Sequence, residues 1–283
     1  MSQSRRDFLR AAGFAAGALL PASKMLAAYK PSRNFGLQLY SVRDDIAKDP
    51  KGVLKQIASY GYTQIESFEG KQGMFWGMQP KEFKQFTGDL GLTIISSHCD
   101  YKTDFEKKAA DAASIGMKYL ICPYKGPQKS IDDFKRCADE FNKAGAICKK
   151  NGIRFAYHNH DYSFKSVDGQ IPQDVMIENT DPSLVDFEMD IYWVVTAGAD
   201  PVAYMKKYNN RFRLCHVKDR QKGATTPDAS VIAGTGSIDF RTLLPQTKKY
   251  GMKYFIIEQE RYDQGTPLEC AKADAEYMKT LSL

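Results

Sequence analysis

The sequence predicts a single (β/α)8 TIM barrel, and three observations predict it. From Phe35 onward, β-like and helix-like stretches alternate to the end of the chain, the pattern of parallel strands joined by crossover helices. The stretch from Tyr29 to Leu283 is close to the ~250 residues of one such barrel. Imidazole and carboxylate side chains recur at the C-terminal ends of the predicted strands, where a barrel of this kind assembles an active site.

Phe35–Tyr40 reads as the first strand, and Asp49–Tyr60 as a helix with Leu54, Ile57 and Ala58 on one face. Thr63–Phe68 is the second strand, followed by a helix over Pro80–Leu90 with proline in the first turn. Leu92–His98 and Lys118–Pro123 are the third and fourth, with helices over Asp104–Ile115 and Ile131–Lys150. Arg154–Asn159, Val185–Met189, Arg213–Val217 and Tyr254–Ile257 complete the eight. The later helices fall near Ile171–Glu178, Pro201–Tyr208, Asp239–Tyr250 and Pro267–Leu281. Gly61, Gly91, Gly116, Gly152 and Gly251 stand just before strands, where a left-handed residue ends a helix. A doubly wound open sheet is disfavoured, because no glycine-rich phosphate loop follows the first strand.

The N-terminus reads differently. Ser4-Arg5-Arg6-Asp7-Phe8-Leu9, an apolar small-residue run over Ala11–Leu20 and the exit Leu26-Ala27-Ala28 are the parts of an export signal. The paired arginines resemble the twin-arginine type, a route that carries folded, cofactor-loaded proteins. The expected organisation is a signal over residues 1–28 and one barrel domain over 29–283, with a periplasmic or other extracytoplasmic destination. The apolar run falls short of the ~20 residues of a stable span, so no lasting membrane insertion of the mature chain is expected. Loss of Arg5, Arg6, Arg10, Lys24 and Asp7 takes the net charge from +6 to +3. That near balance offers nucleic acid no basic partner. The six cysteines show no CxxC spacing and read as buried thiols.

All four histidines, His98, His158, His160 and His216, lie at predicted strand ends. Gln38, Tyr40, Glu66, Asp190, Lys218, Glu258 and Glu260 share those ends. Carboxylates such as Asp190 and Glu258 after apolar strand residues are costly unless paired or metal-bound. His158 and His160 share a side of their strand by parity, as do His216 and Lys218. Mixed imidazole and carboxylate ligands suit several divalent cations: Mn, Mg, Co or Zn. Lys218 beside such a cation has reason for a lowered pKa and so for acting as base or as a clamp on a substrate oxygen. Glu66 and His98 read as groups contacting substrate or supporting those that do. Trp193 and Phe75-Trp76 are aromatics suited to the apolar face of a sugar ring, or to packing. Gly234-Thr235-Gly236-Ser237 reads as a plain turn rather than a phosphate cradle, since no Lys or Arg accompanies it.

The chain resembles the xylose-isomerase-like sugar phosphate isomerase/epimerase superfamily, which includes inosose dehydratases and endonuclease IV. The resemblance rests on Gly36-Leu37-Gln38-Leu39-Tyr40-Ser41-Val42-Arg43-Asp44, Tyr157-His158-Asn159-His160-Asp161-Tyr162, Met189-Asp190-Ile191-Tyr192-Trp193, Gly198-Ala199-Asp200-Pro201, His216-Val217-Lys218-Asp219, Gly234-Thr235-Gly236-Ser237-Ile238-Asp239-Phe240 and Ile257-Glu258-Gln259. It implies Asp190, His216 and Glu258 as metal ligands. The family's strand-5 glutamate falls where this chain has His158-Asn159-His160, so His158 is the expected fourth ligand and His160 an acid/base group, with the choice between them open.

The resemblance further implies Glu66, His160, Lys218 and Glu258 as catalytic, and Gln38, Tyr40, His98 and Trp193 as substrate-binding. The expected activity is a divalent-metal-dependent sugar isomerase or epimerase transferring a proton next to a carbonyl through an enediolate. Loss of one of the paired glutamates makes lyase or hydratase chemistry on a 3-keto-sugar or keto-glycoside the alternative; export favours unphosphorylated sugars. A non-catalytic sugar-binding barrel and an abasic-site endonuclease are the rivals; the latter needs more ligands and a basic groove. The expected partner is a small-molecule carbohydrate, with homo-oligomerisation left open.

Overall fold

The computed structural model describes residues 34–281 and 283. The export-type signal and the expected mature start lie outside the described residues. Eight parallel strands close a barrel: β1 (Gly36–Gln38), β2 (Gln64–Phe68), β3 (Thr93–His98), β4 (Tyr119–Cys122), β5 (Arg154–His158), β6 (Val185–Asp190), β7 (Phe212–Val217) and β10 (Tyr254–Ile257). Each pairs with its neighbours in this series, and β1 closes on β10 through Gly36 opposite Ile256. A two-stranded hairpin, β8 (Asp219–Arg220) with β9 (Ser230–Val231), stands on the loop after β7. The helices are α1 (Arg43–Ile46), α2 (Pro50–Tyr60), α3 (Pro80–Asp89), α4 (Phe105–Ser114), α5 (Ile131–Lys150), α6 (Pro172–Glu178), α7 (Ile191–Thr196), α8 (Pro201–Lys207), α9 (Phe240–Thr247) and α10 (Pro267–Met278). Among the described residues no helix is long and apolar enough to cross a membrane.

The local chemistry explains the boundaries. The side chains of Asp49, Ser130 and Thr266 accept from backbone amides at the starts of α2, α5 and α10, meeting donors that a helix leaves unpaired. All five glycines expected to stop helices have positive φ, for example +95° at Gly61 and +96° at Gly251. Three elements depart from expectation. The first strand ends at Gln38 rather than Tyr40, because Gln38 Oε1 accepts from Tyr40 N at 3.0 Å and starts a 3-10 turn over Leu39–Val42. Asp190 caps an unforeseen helix, α7, through Trp193 N at 3.1 Å. The hairpin β8–β9 is too short to leave a periodic signal.

Large apolar side chains fill the layer between barrel and helices, including Phe35, Phe83, Phe134, Phe141, Phe187 and Phe240. A smaller cluster of Ile95, Tyr119, Ile121, Ala156 and Leu214 packs separately. On β5 and β7, strand parity sets Ala156 and Leu214 on the inner side with His158 and His216. At the N-terminal end of the barrel, Asp186 accepts from Tyr119 Oη at 3.0 Å and from both Arg154 Nη2 at 2.8 Å and Arg154 Nε. Along β6, Asp186, Glu188 and Asp190 alternate with Phe187 and Met189 of the outer core, so all three carboxylates face inward. They mark three successive levels, and the chemistry lies in the upper two.

Candidate metal centre

The top level joins β5, β6, β7 and the end of β10. His158 Nε2 lies 3.1 Å from His216 Nδ1 and 3.5 Å from Asp190 Oδ2; Glu258 Oε2 lies 3.2 Å from His216 Nδ1. The ladder explains the convergence: His158 pairs with Glu188, Asp190 with His216, and His216 with Ile256, two residues before Glu258. One ligand atom from each of the four residues lies within 4.8 Å of every other. These four side chains include Asp190, His216 and Glu258, the ligands that the resemblance implies, and of the two strand-5 histidines it is His158 that joins them. His158 exposes 3%, Asp190 and His216 none, and Glu258 6%.

The protons on the two imidazoles decide what this level can hold. His158 Nδ1 faces Pro123 O at 3.2 Å, a carbonyl that can only accept, so Nδ1 carries hydrogen and Nε2 presents a lone pair. His216 Nε2 donates to Glu66 Oε1 at 2.8 Å, which leaves Nδ1 turned toward His158, Glu258 and Asp190. Burial, then the neighbouring His216 and His98, hold His158 well below the usual imidazole range. Burial also pushes His216 down, but Glu188, Glu258 and Glu66 outweigh it and raise it well above that range. A proton on His216 Nδ1 can therefore bridge His158 and Glu258. It leaves the fully buried Asp190 Oδ2 without a hydrogen bond, with the Lys218 ammonium 3.7 Å away as its cationic neighbour, an incompletely met condition for a carboxylate oxygen. A divalent cation among the same four atoms satisfies all of them, and the donor set suits one.

The level below is a ring of Glu66, His98, Glu188 and His216, all buried. His98 Nε2 lies 2.8 Å from Glu188 Oε2 and 3.2 Å from Glu66 Oε1; His216 Nε2 lies 3.4 Å from Glu188 Oε2. Glu66 Oε1 also accepts from Gln38 Nε2 at 2.7 Å, and Glu66 Oε2 from Ser96 Oγ. Donors crowd Glu66 Oε1, but the buried Glu188 Oε1 has no hydrogen-bond partner, and these four residues also bring ligand atoms within 4.8 Å of one another. Burial raises the Glu66 carboxyl, but His98 and His216 outweigh it and hold it well below the usual range. Burial lowers His98, and Glu66 and Glu188 outweigh that to bring it to about 9. Burial and the charge of Glu66 push Glu188 up to about 7.

A cavity of about 580 Å³ opens over the upper level. Its wall includes His98, His158, His160, Glu258, Glu260 and Tyr40, the last 38% exposed at the rim. Burial and His158 lower His160 to about 3, keeping the ring neutral. Trp193 stacks on His160 at 5.3 Å and 30° and does not line the cavity. Gln38 and Glu66 likewise lie beneath the wall, where Gln38 holds Glu66 and Glu66 holds His216. Phe75 and Trp76, read as sugar platforms or packing, belong to the core, with Trp76 Nε1 donating to Ser67 Oγ at 3.1 Å. Lys218 is buried against Glu260 and Glu258, 3.2 Å from the latter, and 5.0 Å from the Trp193 ring. Burial lowers its pKa, but Glu258, Glu260 and Asp190 outweigh it and raise it. These carboxylates favour the ammonium form of the lysine, which suits a clamp on a substrate oxygen. Glu188 has no role in the sequence analysis; its signal was the period of two that it shares with Asp190. Tyr124, on the cavity wall, had no signal at all.

The glycine-rich turn is also accounted for. Gly234 N, Gly236 N and Ile238 N donate to the Asp219 carboxylate at 2.9, 2.9 and 3.1 Å. Those amides brace the hairpin after β7 and have none to spare for a phosphate.

Fold and site together define a (β/α)8 barrel with a buried imidazole–carboxylate centre, able to hold a metal, at the C-terminal ends of its strands. The chain belongs to the xylose isomerase-like TIM barrel family, whose model matches residues 54–281. It is 23% identical to the inosose dehydratase of Geobacillus kaustophilus over 257 residues, covering 83% of this chain and 80% of that protein. With the inosose dehydratases of Clostridium perfringens and Clostridium tetani, the match spans about half of their length, 54%. A sugar phosphate isomerase/epimerase from Parabacteroides distasonis is similar in structure, with a TM-score of 0.75 and 29% identity over 92% of this chain and 98% of that one. A zinc-bound IolI protein shares the fold, with a TM-score of 0.71 and 14% identity over 86% and 95% of the two chains.

Proposed function

We propose that this protein is a divalent-metal-dependent lyase of the dehydratase type, which removes the proton next to a carbonyl of an unphosphorylated keto-sugar and expels a β-substituent. Asp190 Oδ2, which accepts no hydrogen bond and stands among imidazoles whose other nitrogens are already committed, carries the metal part of this reading. A cation held by His158, Asp190, His216 and Glu258 would supply Lewis-acid charge to the substrate's carbonyl oxygen and an adjacent hydroxyl.

Glu258 turns Oε2 to the cluster and lines the cavity, so its carboxylate is placed to take the α-proton. Burial raises the Glu258 carboxyl, but Lys218 and His216 outweigh it and keep it ionised. Lys218 also holds Glu260, and its ammonium balances negative charge gathered around the reacting carbons. His160, neutral and braced by Trp193, offers a hydrogen bond to a substrate hydroxyl or to the departing group.

Elimination takes precedence over epimerisation because of the strand-5 side. An epimerase of the two-base kind needs a second proton shuttle on the opposite sugar face. Here that side presents His158, whose nitrogens are committed to Pro123 O and to the cluster, and His160, which burial and His158 hold at about 3, too weakly basic to shuttle a proton from carbon. The inosose dehydratase relatives support the same order. Proton NMR in D2O of the Mg-loaded or Mn-loaded protein tests it with inososes, free ketoses and 3-keto-glycosides. Loss of water or aglycone is expected, abolished by chelation and by Glu258→Gln. Deuterium entering a recovered or isomeric sugar without loss of a group would restore isomerase or epimerase activity as the better reading.

A further inference from the structure

The proposed chemistry occupies only the floor of the cavity; the upper wall makes a separate statement about what enters. Among the described residues, two large hydrophobic side chains stand exposed, Tyr40 at 38% and Tyr124 at 58%. Both belong to the mouth of this one cavity. Single exposed apolar residues need no explanation, but paired ones at the mouth of a functional cavity do.

Neither ring hangs free. Tyr40 meets Phe68 edge-on at 5.2 Å, and the Arg43 guanidinium lies 4.7 Å from its centroid. Tyr124 meets His160 edge-on at 4.9 Å and Tyr162 at 5.5 Å. Rings propped in this way lose little further freedom when a ligand packs on them. Each is an amphipathic plate suited to the apolar face of another ring.

Charge narrows the class further. The wall carries the carboxylates of Glu69, Asp100, Glu258 and Glu260 and no lysine or arginine. The nearby cations are already bonded: Lys108 to the wall's Glu69 at 2.8 Å, Lys218 to its Glu258 and Glu260, Lys125 to Glu140 and Tyr101, and Arg43, against the Tyr40 ring, to Tyr262 Oη and the Tyr40 and Glu260 carbonyls. A phosphate or carboxylate on the substrate would have to compete with these carboxylates for cations that are already bonded.

We infer that the cavity takes a neutral two-ring substrate, a glycoside whose reacting sugar lies on the floor and whose second ring packs on Tyr40 and Tyr124. This rests on the reading that the reacting ring binds at the metal end. It assigns the family's phosphorylated sugars to other members.

Binding of non-reacting probes separates this inference from the reaction. Methyl β-glucoside, phenyl β-glucoside and glucose 6-phosphate carry no keto group next to the scissile bond, so titration calorimetry on the metal-loaded full chain reads binding alone. Phenyl glucoside should bind about tenfold more tightly than methyl glucoside, and glucose 6-phosphate no more tightly than the latter. Tyr124→Ala and Tyr40→Ala should each shrink the phenyl advantage while leaving methyl glucoside within twofold; Tyr→Phe at either position should retain it. Equal affinity for the two glucosides, no binding of either, an advantage surviving both alanine variants, or tighter binding of the phosphate would overturn the inference. Failure of the elimination assay with the phenyl advantage intact would sink only the proposed reaction.

Discussion

Replacing Glu66 by Gln removes one charge and almost no volume, directly beneath the candidate metal centre. Glu66 is fully buried and takes hydrogen bonds from Gln38, Ser96 and His216, with His98 Nε2 3.2 Å away. In Glu66→Gln the amide oxygen can still face His216 and Gln38 while its NH2 faces Ser96 Oγ, so the shape of the ring survives. What changes is the bond to His216 Nε2, from charge-assisted to neutral, about 1 kcal/mol weaker. Partners of this kind behind a ligating histidine are worth roughly 10–100-fold in metal affinity, and the isosteric change belongs at the lower end. About tenfold, or ~1.4 kcal/mol, is therefore expected at pH 8 in a chelator-competition titration with Zn or Mn.

A second effect acts in the opposite direction. The charge of Glu66 helps raise His216 above the usual imidazole range, and a cation must displace that proton. Removing the charge eases the displacement, so wild-type affinity should rise with pH more steeply than that of the variant, and the tenfold gap should narrow toward acid. Affinity within twofold of wild type at pH 8, with an unchanged circular dichroism spectrum, would refute the argument that Glu66 fixes the His216 tautomer.

Three further outcomes concern the frame that holds the site. Arg154→Ala strands the buried Asp186 with Tyr119 alone; breaking such a pair costs 3–5 kcal/mol when fully buried, and about 2 kcal/mol is expected in urea unfolding because the guanidinium is partly exposed, with metal stoichiometry unchanged. Gly236→Ala sets a methyl 2.3 Å from Asp219 Oδ1 and 2.4 Å from Arg220 O, so a fall in Tm and faster proteolysis in the 219–237 hairpin should follow. Asp274 accepts from Ala233 N at 2.7 Å with its other oxygen unpartnered; burial above all, with a smaller push from Asp219, raises it to about 7. Its folded pKa exceeds its unfolded one, so the stability it contributes is full below about pH 4 and is lost as pH rises through 7. Asp274→Asn should remove that loss, and a wild-type Tm that does not fall more than the variant's between pH 4 and 7 would contradict it.

Much of this molecule was legible in its sequence. Helical stops at Gly61 and Gly251, strand runs and the alternation of elements are local properties, set by backbone sterics and by periods of 2 and 3.6. They gave all eight barrel strands and, because C-terminal strand ends share one cup in a closed barrel, placed His158, Asp190, His216 and Glu258 there among other polar residues; the family resemblance singled out Asp190, His216 and Glu258 as ligands. Roles were harder to read than positions. Gln38 and Glu66 share the strand signature of cavity residues, yet depth along the barrel axis decides that they support rather than line it, and Trp193, carried by α7, stacks on His160 instead.

By itself, the sequence determined which residues face inward and at which end of the barrel they gather. Only the tertiary structure decided which level each occupies and who its neighbours are. Those depend on the stagger of parallel strands, through pairings such as Asp190 with His216 and Glu66 with Ser96, between segments far apart in the chain. The carboxylates around Lys218, the hydrogen bond from His216 Nε2 to Glu66 and the missing hydrogen bond at Asp190 Oδ2 all follow from those pairings, because each is fixed by atoms within a few ångströms that no single strand contains.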